Sequence, residues 1–140
     1  MKNLIKDYVG AIADFSKAIQ LDPTVVGTYI MRGMVQSDLK DYAGAIEDFN
    51  AAILGDPMDP YAYYCRGLTR WYAKEYASAV ADLNKCLSLN PNHTLAYWIK
   101  GIAEIRLGQK KNGCADLRKA RELGNKGVIT DLKKYCIEVK

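Results

Sequence analysis

Three prolines recur at equal intervals in this chain of 140 residues, and the interval narrows the choice of fold. They are Pro23, Pro57 and Pro91. Other columns keep the same step: tyrosine at 8, 42 and 76 and again at 29, 63 and 97; glycine at 33, 67 and 101; phenylalanine or leucine at 15, 49, 83 and 117; aspartate at 14, 48, 82 and 116. A period of about 20–50 residues is typical of stacked repeat arrays.

Each repeat contains two segments with helical periodicity. In the second segment apolar residues recur at steps of three and four, as at Tyr42, Ala45 and Phe49, and this spacing gives a helix one apolar stripe. Pro57 follows and cannot continue that helix. The first segment, near 61–73, is apolar around more of its circumference, so we expect helices on more than one side of it. A single two-helix unit cannot bury these faces, and the units must therefore stack.

Glycines inside the first segments predict close helix crossings. A glycine within a helix costs about 1 kcal/mol relative to alanine. Its presence at Gly33, Gly67 and Gly101 is explained if another backbone crosses nearby. The phenylalanine and leucine column would then fill the space between the helices.

The order of tyrosine, glycine, tyrosine, alanine, phenylalanine, alanine and proline within each period resembles the tetratricopeptide repeat. The resemblance covers nearly the whole chain and implies an all-α, right-handed α-solenoid of antiparallel helix pairs, with about eight helices and a C-terminal capping helix. It implies one domain over 1–140, made of a half repeat at 1–24, repeats at 25–58, 59–92 and 93–125, and a cap at 126–138. Helices are expected at 6–21, 25–40, 42–54, 60–74, 76–89, 93–107, 109–123 and 126–137. The run at 113–124 is similar to the C-terminal repeats of bacterial, Bacteroides-type members.

A cation precedes the repeat glycine where the family usually has leucine. The three positions are Arg32, Arg66 and Lys100. This is similar to a variant of the repeat in which Arg-Gly on the first helix accompanies an aspartate on the second. We expect these cations to pair with the aspartate column and to set stacking register more than stability.

In the family, the first helix of each pair lines a concave groove. Here that placement implies a surface rich in aromatic and methionine side chains, which are favoured at binding hot spots and in adaptable grooves. The function implied is a protein–protein interaction scaffold that binds an apolar peptide or helix. The alternative for the same side chains is burial between neighbouring repeats. The predicted groove residues are Ile30, Met31, Met34, Ser37, Tyr61, Tyr64, Cys65, Leu68, Tyr72, Leu95, Trp98, Ile99, Ile102 and Arg106.

Some members of the family clamp the C-terminal carboxylates of chaperone tails with lysine, asparagine and arginine on these helices. None of the corresponding side chains here donates to a carboxylate, so binding of chaperone tails is not expected. The corresponding positions are Ile30, Met34, Cys65, Leu95 and Ile99.

Catalytic and cofactor motifs are missing from the sequence. The single histidine, His93, lies in a turn beside Pro91, where a loop or helix-start role is the simpler interpretation. No P-loop, Rossmann glycine pattern or zinc motif is present. The aspartates lie one repeat apart and lack the close pairing that acid–base chemistry uses. We therefore expect no enzyme, no cofactor and no metal site.

The net charge of +4 is distributed unevenly. Residues 100–140 hold 11 Lys/Arg and 5 Asp/Glu, whereas residues 1–99 have a net charge of −2. A solvated basic face is one interpretation, and a docking surface for an acidic partner is the other. RNA binding by a helical repeat is a further alternative, but the apolar first-helix surface argues against nucleic acid.

The N-terminal half repeat predicts a second kind of contact. Its helix is expected to expose Ile12, Phe15 and Ile19 because it lacks a preceding partner helix. Exposed apolar patches mark interfaces, so a homo-oligomer through the half repeat, or a self-assembly module of a larger protein, is an alternative function. No apolar run reaches the ~20 residues of a membrane helix, and the N-terminus lacks a signal peptide, which predicts a cytoplasmic protein without membrane insertion.

The four cysteines show no metal-binding or redox spacing. Cys65, Cys86, Cys114 and Cys136 are all far apart in sequence. We expect all four to act as small core hydrophobes. Cys114 and Cys136 are the best candidates for a disulfide, because two adjacent C-terminal helices would bring them together.

Overall fold

The computed structural model describes residues 2–137, with side chains from residue 4 onward. Eight α-helices and no strand lie within this range, which confirms the all-α fold. Compared with the predicted bounds, α1 begins earlier and α8 is shorter. The helices are α1 Lys2–Leu21, α2 Val26–Asp38, α3 Tyr42–Gly55, α4 Pro60–Tyr72, α5 Tyr76–Leu89, α6 Thr94–Arg106, α7 Lys110–Glu122 and α8 Val128–Tyr135.

Capping side chains explain where several helices begin. Asp41 precedes α3, and its carboxylate accepts a hydrogen bond from a backbone N–H of the first turn at 3.1 Å. Asp59 does the same for α4 at 3.0 Å, and Pro60 occupies the first helical position, where its missing N–H is not needed. His93 caps α6 through Nδ1. The lone histidine therefore lies at a helix start.

The first helix of each repeat ends in the same left-handed turn. Lys40, Lys74 and Gly108 have φ angles of 66°, 64° and 81°, and they occupy the same position in successive repeats. The N–H of the next residue bonds to the carbonyl five residues earlier at 2.8 Å in all three repeats. This hydrogen bond satisfies a carbonyl at the end of the first helix, and the left-handed residue turns the chain back. The second helix then returns alongside the first.

Helices pack mainly against their neighbours in sequence. The pairs α2–α3, α4–α5 and α6–α7 form the repeats, while α3–α4 and α5–α6 join one repeat to the next. α1 packs on α2, and α8 packs on α7. The first helices also contact one another, α2 with α4 and α4 with α6. They therefore form one continuous side of the stack, which is the side where the groove residues were predicted.

The repeat glycines lie at close crossings, as predicted. A Cβ on Gly33 would lie 2.8 Å from the Phe49 ring, and one on Gly67 would lie 3.0 Å from Leu83. At Gly101 the nearest atom would be a backbone oxygen, that of Gly113, at 2.8 Å. From Phe49 onward, the phenylalanine and leucine column is fully buried beside these glycines and fills the space between the two helices of each repeat.

The cysteines divide into two kinds, which corrects the expectation that all four are free core residues. Cys65 and Cys86 are free and buried, as predicted. Cys114 and Cys136 form a disulfide, because the packing of α8 on α7 brings their Cα atoms to 5.7 Å.

The apolar exposure of α1 differs from the prediction. Ile12 and Phe15 are half-buried because α1 packs on α2, and the same is true of Ile19. The large apolar side chains that α1 leaves most exposed are instead Leu4, Ile5, Val9 and Leu21. Across residues 2–137, none of the helices combines the length and apolar character that a bilayer crossing requires.

Candidate peptide-binding groove

The predicted groove residues fall into three levels of burial on α2, α4 and α6. Ile30, Cys65 and Ile102 are buried in the hydrophobic core beneath this surface. The half-buried members are Ser37, Tyr64, Leu68, Trp98 and Ile99. The exposed members are Met31, Met34, Tyr61, Tyr72, Leu95 and Arg106. The exposed and half-buried side chains form a mostly apolar surface across the three helices.

A cavity of about 100 Å³ opens on this surface between α2 and α4. Met34 and Tyr61 stand at its mouth, with 40% and 42% of their surfaces exposed, and the Tyr61 hydroxyl lies 3.5 Å from the Met34 sulfur. Phe49 of α3 and Thr69 form part of its lining below. The other lining residues are Ser37, Asp38, Tyr64, Cys65 and Leu68.

Aromatic rings continue the surface from the cavity towards α6. The ring centroids of Tyr61 and Tyr64 are 6.2 Å apart, and Tyr64 lies 4.6 Å from the ring of His93. The contact between Tyr64 and His93 was not predicted, because the helix-start position expected for His93 does not specify which ring of α4 it faces. The common repeat step relates His93 to Asp59 and Val25, which also precede first helices.

Burial keeps two ionisable side chains of the cavity, Tyr64 and Cys65, neutral. Desolvation raises the pKa of Tyr64 to about 12. Desolvation also raises the pKa of the Cys65 thiol to about 12. Both groups therefore remain uncharged at physiological pH, and the cavity has a mostly apolar lining with the Tyr61 hydroxyl, the Met34 thioether and the exposed Asp38 side chain among its other polar or polarisable groups.

Trp98 makes a further contact that the sequence did not predict. Its indole Nε1 donates a hydrogen bond to Asp131 of α8 at 2.7 Å, and its ring packs against a buried cluster that includes Ile102, Leu117 and Val128. The capping helix therefore fixes Trp98 from one side. Nothing in the repeat pattern indicated this contact, because α8 does not follow the side-chain pattern of the preceding first helices.

A ladder of ion pairs lies within the repeats, as the cation and aspartate columns predicted. Arg32 donates from Nε and Nη2 to Asp48 at 2.8 and 2.7 Å. Arg66 makes the same two bonds to Asp82, and Lys100 contacts Asp116 at 3.0 Å. The two parallel hydrogen bonds of each arginine fix the orientation of the guanidinium relative to the carboxylate as well as their separation.

Each arginine also reaches the preceding repeat, which the sequence did not predict. Arg32 Nη1 donates to Ser16 Oγ at 3.1 Å. Arg66 Nη1 donates to Asn50 Oδ1 at 2.8 Å. In both cases the acceptor lies 16 residues before the arginine, and the aspartate lies 16 residues after it. One side chain thus connects two successive second helices, which supports a role in stacking register.

The three repeats differ at the position one helical turn after the cation. Arg70 occupies it in α4 and donates to Asp82 at 2.8 Å. Glu104 occupies it in α6, where it is 3% exposed, 3.4 Å from Lys100 and beside Asp116. Burial, followed by Asp116, raises the pKa of Glu104 to about 7, although Lys100 acts in the opposite direction.

Comparisons with known proteins agree with this architecture. Family models described as tetratricopeptide repeat match residues 60–93 and 26–57. No curated protein matches the chain. A crystal structure of MamA is 23% identical, with a TM-score of 0.81 over 96% of this chain and 87% of that one. The first tetratricopeptide repeat domain of Spaghetti (RPAP3), bound to the HSP90 peptide SRMEEVD, is 24% identical. Its TM-score is 0.76 over 79% of this chain and 89% of that one.

A third solved structure has the same arrangement. The Arabidopsis OM64 TPR domain is 21% identical, with a TM-score of 0.76 over 79% of this chain and 93% of that domain. At these identities the likeness shows the fold.

Proposed function

This chain belongs to the tetratricopeptide repeat family, and from that premise we propose that it is a protein-interaction module that binds an apolar peptide or helix along α2, α4 and α6. Proteins built from such repeats generally act as scaffolds without catalysis. The paired-helix pattern extends to α6 and α7, beyond the two repeats that the family models match.

The cavity between α2 and α4 carries this proposal. A water molecule occupies about 30 Å³, so a cavity of about 100 Å³ has room for about three or four heavy atoms. That is the size of a leucine or isoleucine side chain. Met34 and Tyr61 flank the opening, and both residue types adapt well to apolar ligands. We therefore infer that one aliphatic side chain of the ligand anchors here, while Tyr72 and Leu95 contact the rest.

The chemistry of the surface favours an apolar ligand over an acidic tail. The RPAP3 domain was solved with an acidic HSP90 peptide. In the present chain, Met34, Leu95 and Ile99 stand where relatives that bind such tails carry polar or basic groups. A buried carboxylate without a donor would lose its hydration without compensation. We expect the peptide SRMEEVD to bind weakly or not at all.

Selection from a random peptide library displayed on phage tests the proposal. The whole chain is immobilised with its disulfide oxidised, and enriched peptides are synthesised and titrated by fluorescence anisotropy. We expect sequences with leucine or isoleucine at helical spacing, bound at least tenfold more weakly by Met34→Glu. Met58→Glu is the matched control, because Met58 is exposed in the turn before α4 and makes no contribution to the cavity. Enriched peptides that bind both variants equally well would rule out the groove.

Self-association through α1 is the second candidate function. The exposed row of Leu4, Ile5 and Val9 favours it, because apolar groups of this size on one helix face gain free energy when covered. Sedimentation velocity over a hundredfold concentration range tests it. We expect a wild-type dimer that Leu4→Lys/Val9→Lys dissociates, and a wild type that remains monomeric throughout would exclude this candidate.

A further inference from the structure

A second groove runs between α7 and α8, away from the predicted peptide surface. Two cavities, of about 260 and 360 Å³, share Arg118, Cys136 and Ile137 and so form one continuous depression, called here the basic groove. None of its lining residues belongs to α2, α4 or α6. Its α7 side extends from Lys110 to Arg121, a distance of about 16 Å at 1.5 Å per residue. It can therefore accommodate about three turns of a helix.

The floor of the basic groove is apolar. Ile129 and Ile137 keep 39% and 61% of their surfaces exposed, and Leu132 lies buried between them. The Cys114–Cys136 disulfide joins the two sides. Covering apolar surface of this kind is favourable by about 25 cal/mol per Å². The floor thus provides a contact area for aliphatic side chains of a ligand.

The rim of the basic groove is cationic. Its charged members are Lys110, Lys111, Arg118, Arg121 and Lys133. All five are exposed, and in the part of the chain that the structure describes none of them makes a salt bridge. Among the described residues no carboxylate lines either cavity. Five exposed cations around an apolar floor are complementary to a ligand of opposite charge that also carries apolar groups.

We propose that the basic groove binds an acidic amphipathic segment of a partner protein, whose aliphatic side chains contact Ile129 and Ile137 while its carboxylates face the cationic rim. The apolar floor distinguishes this ligand from a polyanion that needs charge alone. Arginine on the rim adds paired hydrogen bonds to carboxylates, which lysine cannot supply in the same geometry. The basic groove shares no lining residue with the cavity between α2 and α4. An experiment that disproves one binding site therefore leaves the proposal for the other unaffected.

A designed peptide tests this proposal directly. The probe is a fluorescein-labelled 14-residue peptide of leucine, alanine and glutamate, with leucine recurring at steps of three and four and both ends blocked. The comparison peptide has the same composition in shuffled order. Anisotropy titrations use the whole oxidised chain at 50 and 300 mM NaCl. We expect saturable binding that is at least fivefold tighter for the amphipathic peptide and weaker at the higher salt concentration.

Two variants assign the binding to the groove. Arg118→Glu/Lys133→Glu should weaken binding of the amphipathic peptide at least tenfold, and Ile137→Ser about fivefold without any change in charge. Lys17→Glu/Lys85→Glu is the matched control, since it changes the net charge equally at exposed helix positions that line neither cavity. Circular dichroism melting checks that every variant is folded, and Ile137→Ser alone keeps the test decisive if the charge reversal unfolds the chain.

Several outcomes would overturn the proposal. Equal binding of the shuffled peptide, or equal weakening by the two charge-reversal pairs, would reduce the interaction to non-specific charge. A 14-nucleotide RNA or phosphatidylserine vesicles that bind more tightly than the peptide, with the same loss on Arg118→Glu/Lys133→Glu, would assign the groove to nucleic acid or to a membrane surface instead.

Discussion

Arg66 donates two hydrogen bonds to Asp82, from Nε at 3.0 Å and from Nη2 at 2.7 Å, and Arg70 adds a third to the same carboxylate at 2.8 Å. Asp82 is buried, and the three hydrogen bonds replace the hydration that its carboxylate loses on burial. The equivalent Asp48 receives two bonds from Arg32 and has no second arginine, because Gln36 occupies the position of Arg70. The two repeats thus offer the same ion pair with and without a second cation.

This difference predicts unequal effects for the same substitution in two repeats. Arg32→Leu leaves buried Asp48 without a cation and should lower the free energy of unfolding by about 3 kcal/mol. Arg66→Leu leaves Asp82 paired with Arg70 and should cost about 1 kcal/mol. Urea denaturation followed by circular dichroism measures both. Equal losses in the two variants would show that the second arginine does not compensate for the first.

The glycines give a prediction with opposite signs. Gly101→Ala places a Cβ 2.8 Å from the backbone oxygen of Gly113, which cannot rotate away, and should destabilise the chain by about 1–3 kcal/mol. Gly10→Ala in α1 meets nothing within 4 Å and should stabilise the chain by about 0.5–1 kcal/mol through helix propensity alone. Thermal melts of the two single variants test the pair. A stabilising effect at Gly101 would mean that α6 and α7 can separate at small cost.

The features that recur every 34 residues were predictable from the sequence. These are the helix order, the glycine crossings and the cation–aspartate pairs, and their recurrence in successive repeats made each prediction more secure. The bond from Arg66 to Asn50 went unpredicted because it joins two repeats through a polar residue that the family pattern does not specify. The burial of Ile30 and Cys65 also depends on how one repeat covers the next, which a single-helix pattern does not show.

The C-terminal end was less predictable because α8 departs from the pattern of the other first helices. The hydrogen bond between Trp98 and Asp131 and the disulfide between Cys114 and Cys136 both depend on the packing of α8 on α6 and α7. The spacing of the cysteines alone fits either a free or a bonded pair. The basic groove likewise depends on two helices whose basic and apolar residues were visible in the sequence, while the packing that leaves Ile129 and Ile137 exposed between them was not.

Removal of the disulfide should destabilise the chain. Cys114 and Cys136 are separated by 22 residues in sequence. Closing a loop of that length restricts the unfolded chain and raises its free energy by about 3 kcal/mol, which stabilises the fold. Cys114→Ala/Cys136→Ala should lower the urea midpoint accordingly, and a reducing agent should have a similar effect on the wild type. The double variant itself should be insensitive to the reductant. A wild type whose midpoint does not respond to reduction would contradict the pairing.

The buried carboxyl of Glu104 should make stability depend on pH. Its pKa is raised to about 7, first by burial and then by Asp116, against the opposing effect of Lys100. A carboxyl whose pKa is higher in the folded state than in the unfolded state favours folding while it is protonated. Its contribution is therefore present below pH 4.5 and is lost as the pH rises through 7. The loss should be on the order of 2 kcal/mol between pH 5 and pH 8.

Glu104→Gln isolates this contribution, because glutamine keeps the shape of the protonated side chain and does not titrate. Urea midpoints measured for wild type and variant at pH 5, 6, 7 and 8 should nearly coincide at pH 5 and diverge above pH 6, with the variant more stable. Lys100 continues to pair with Asp116 in both proteins, so that salt bridge cancels in the comparison. Parallel pH profiles for the two proteins would show that Glu104 is ionised in the fold throughout this range.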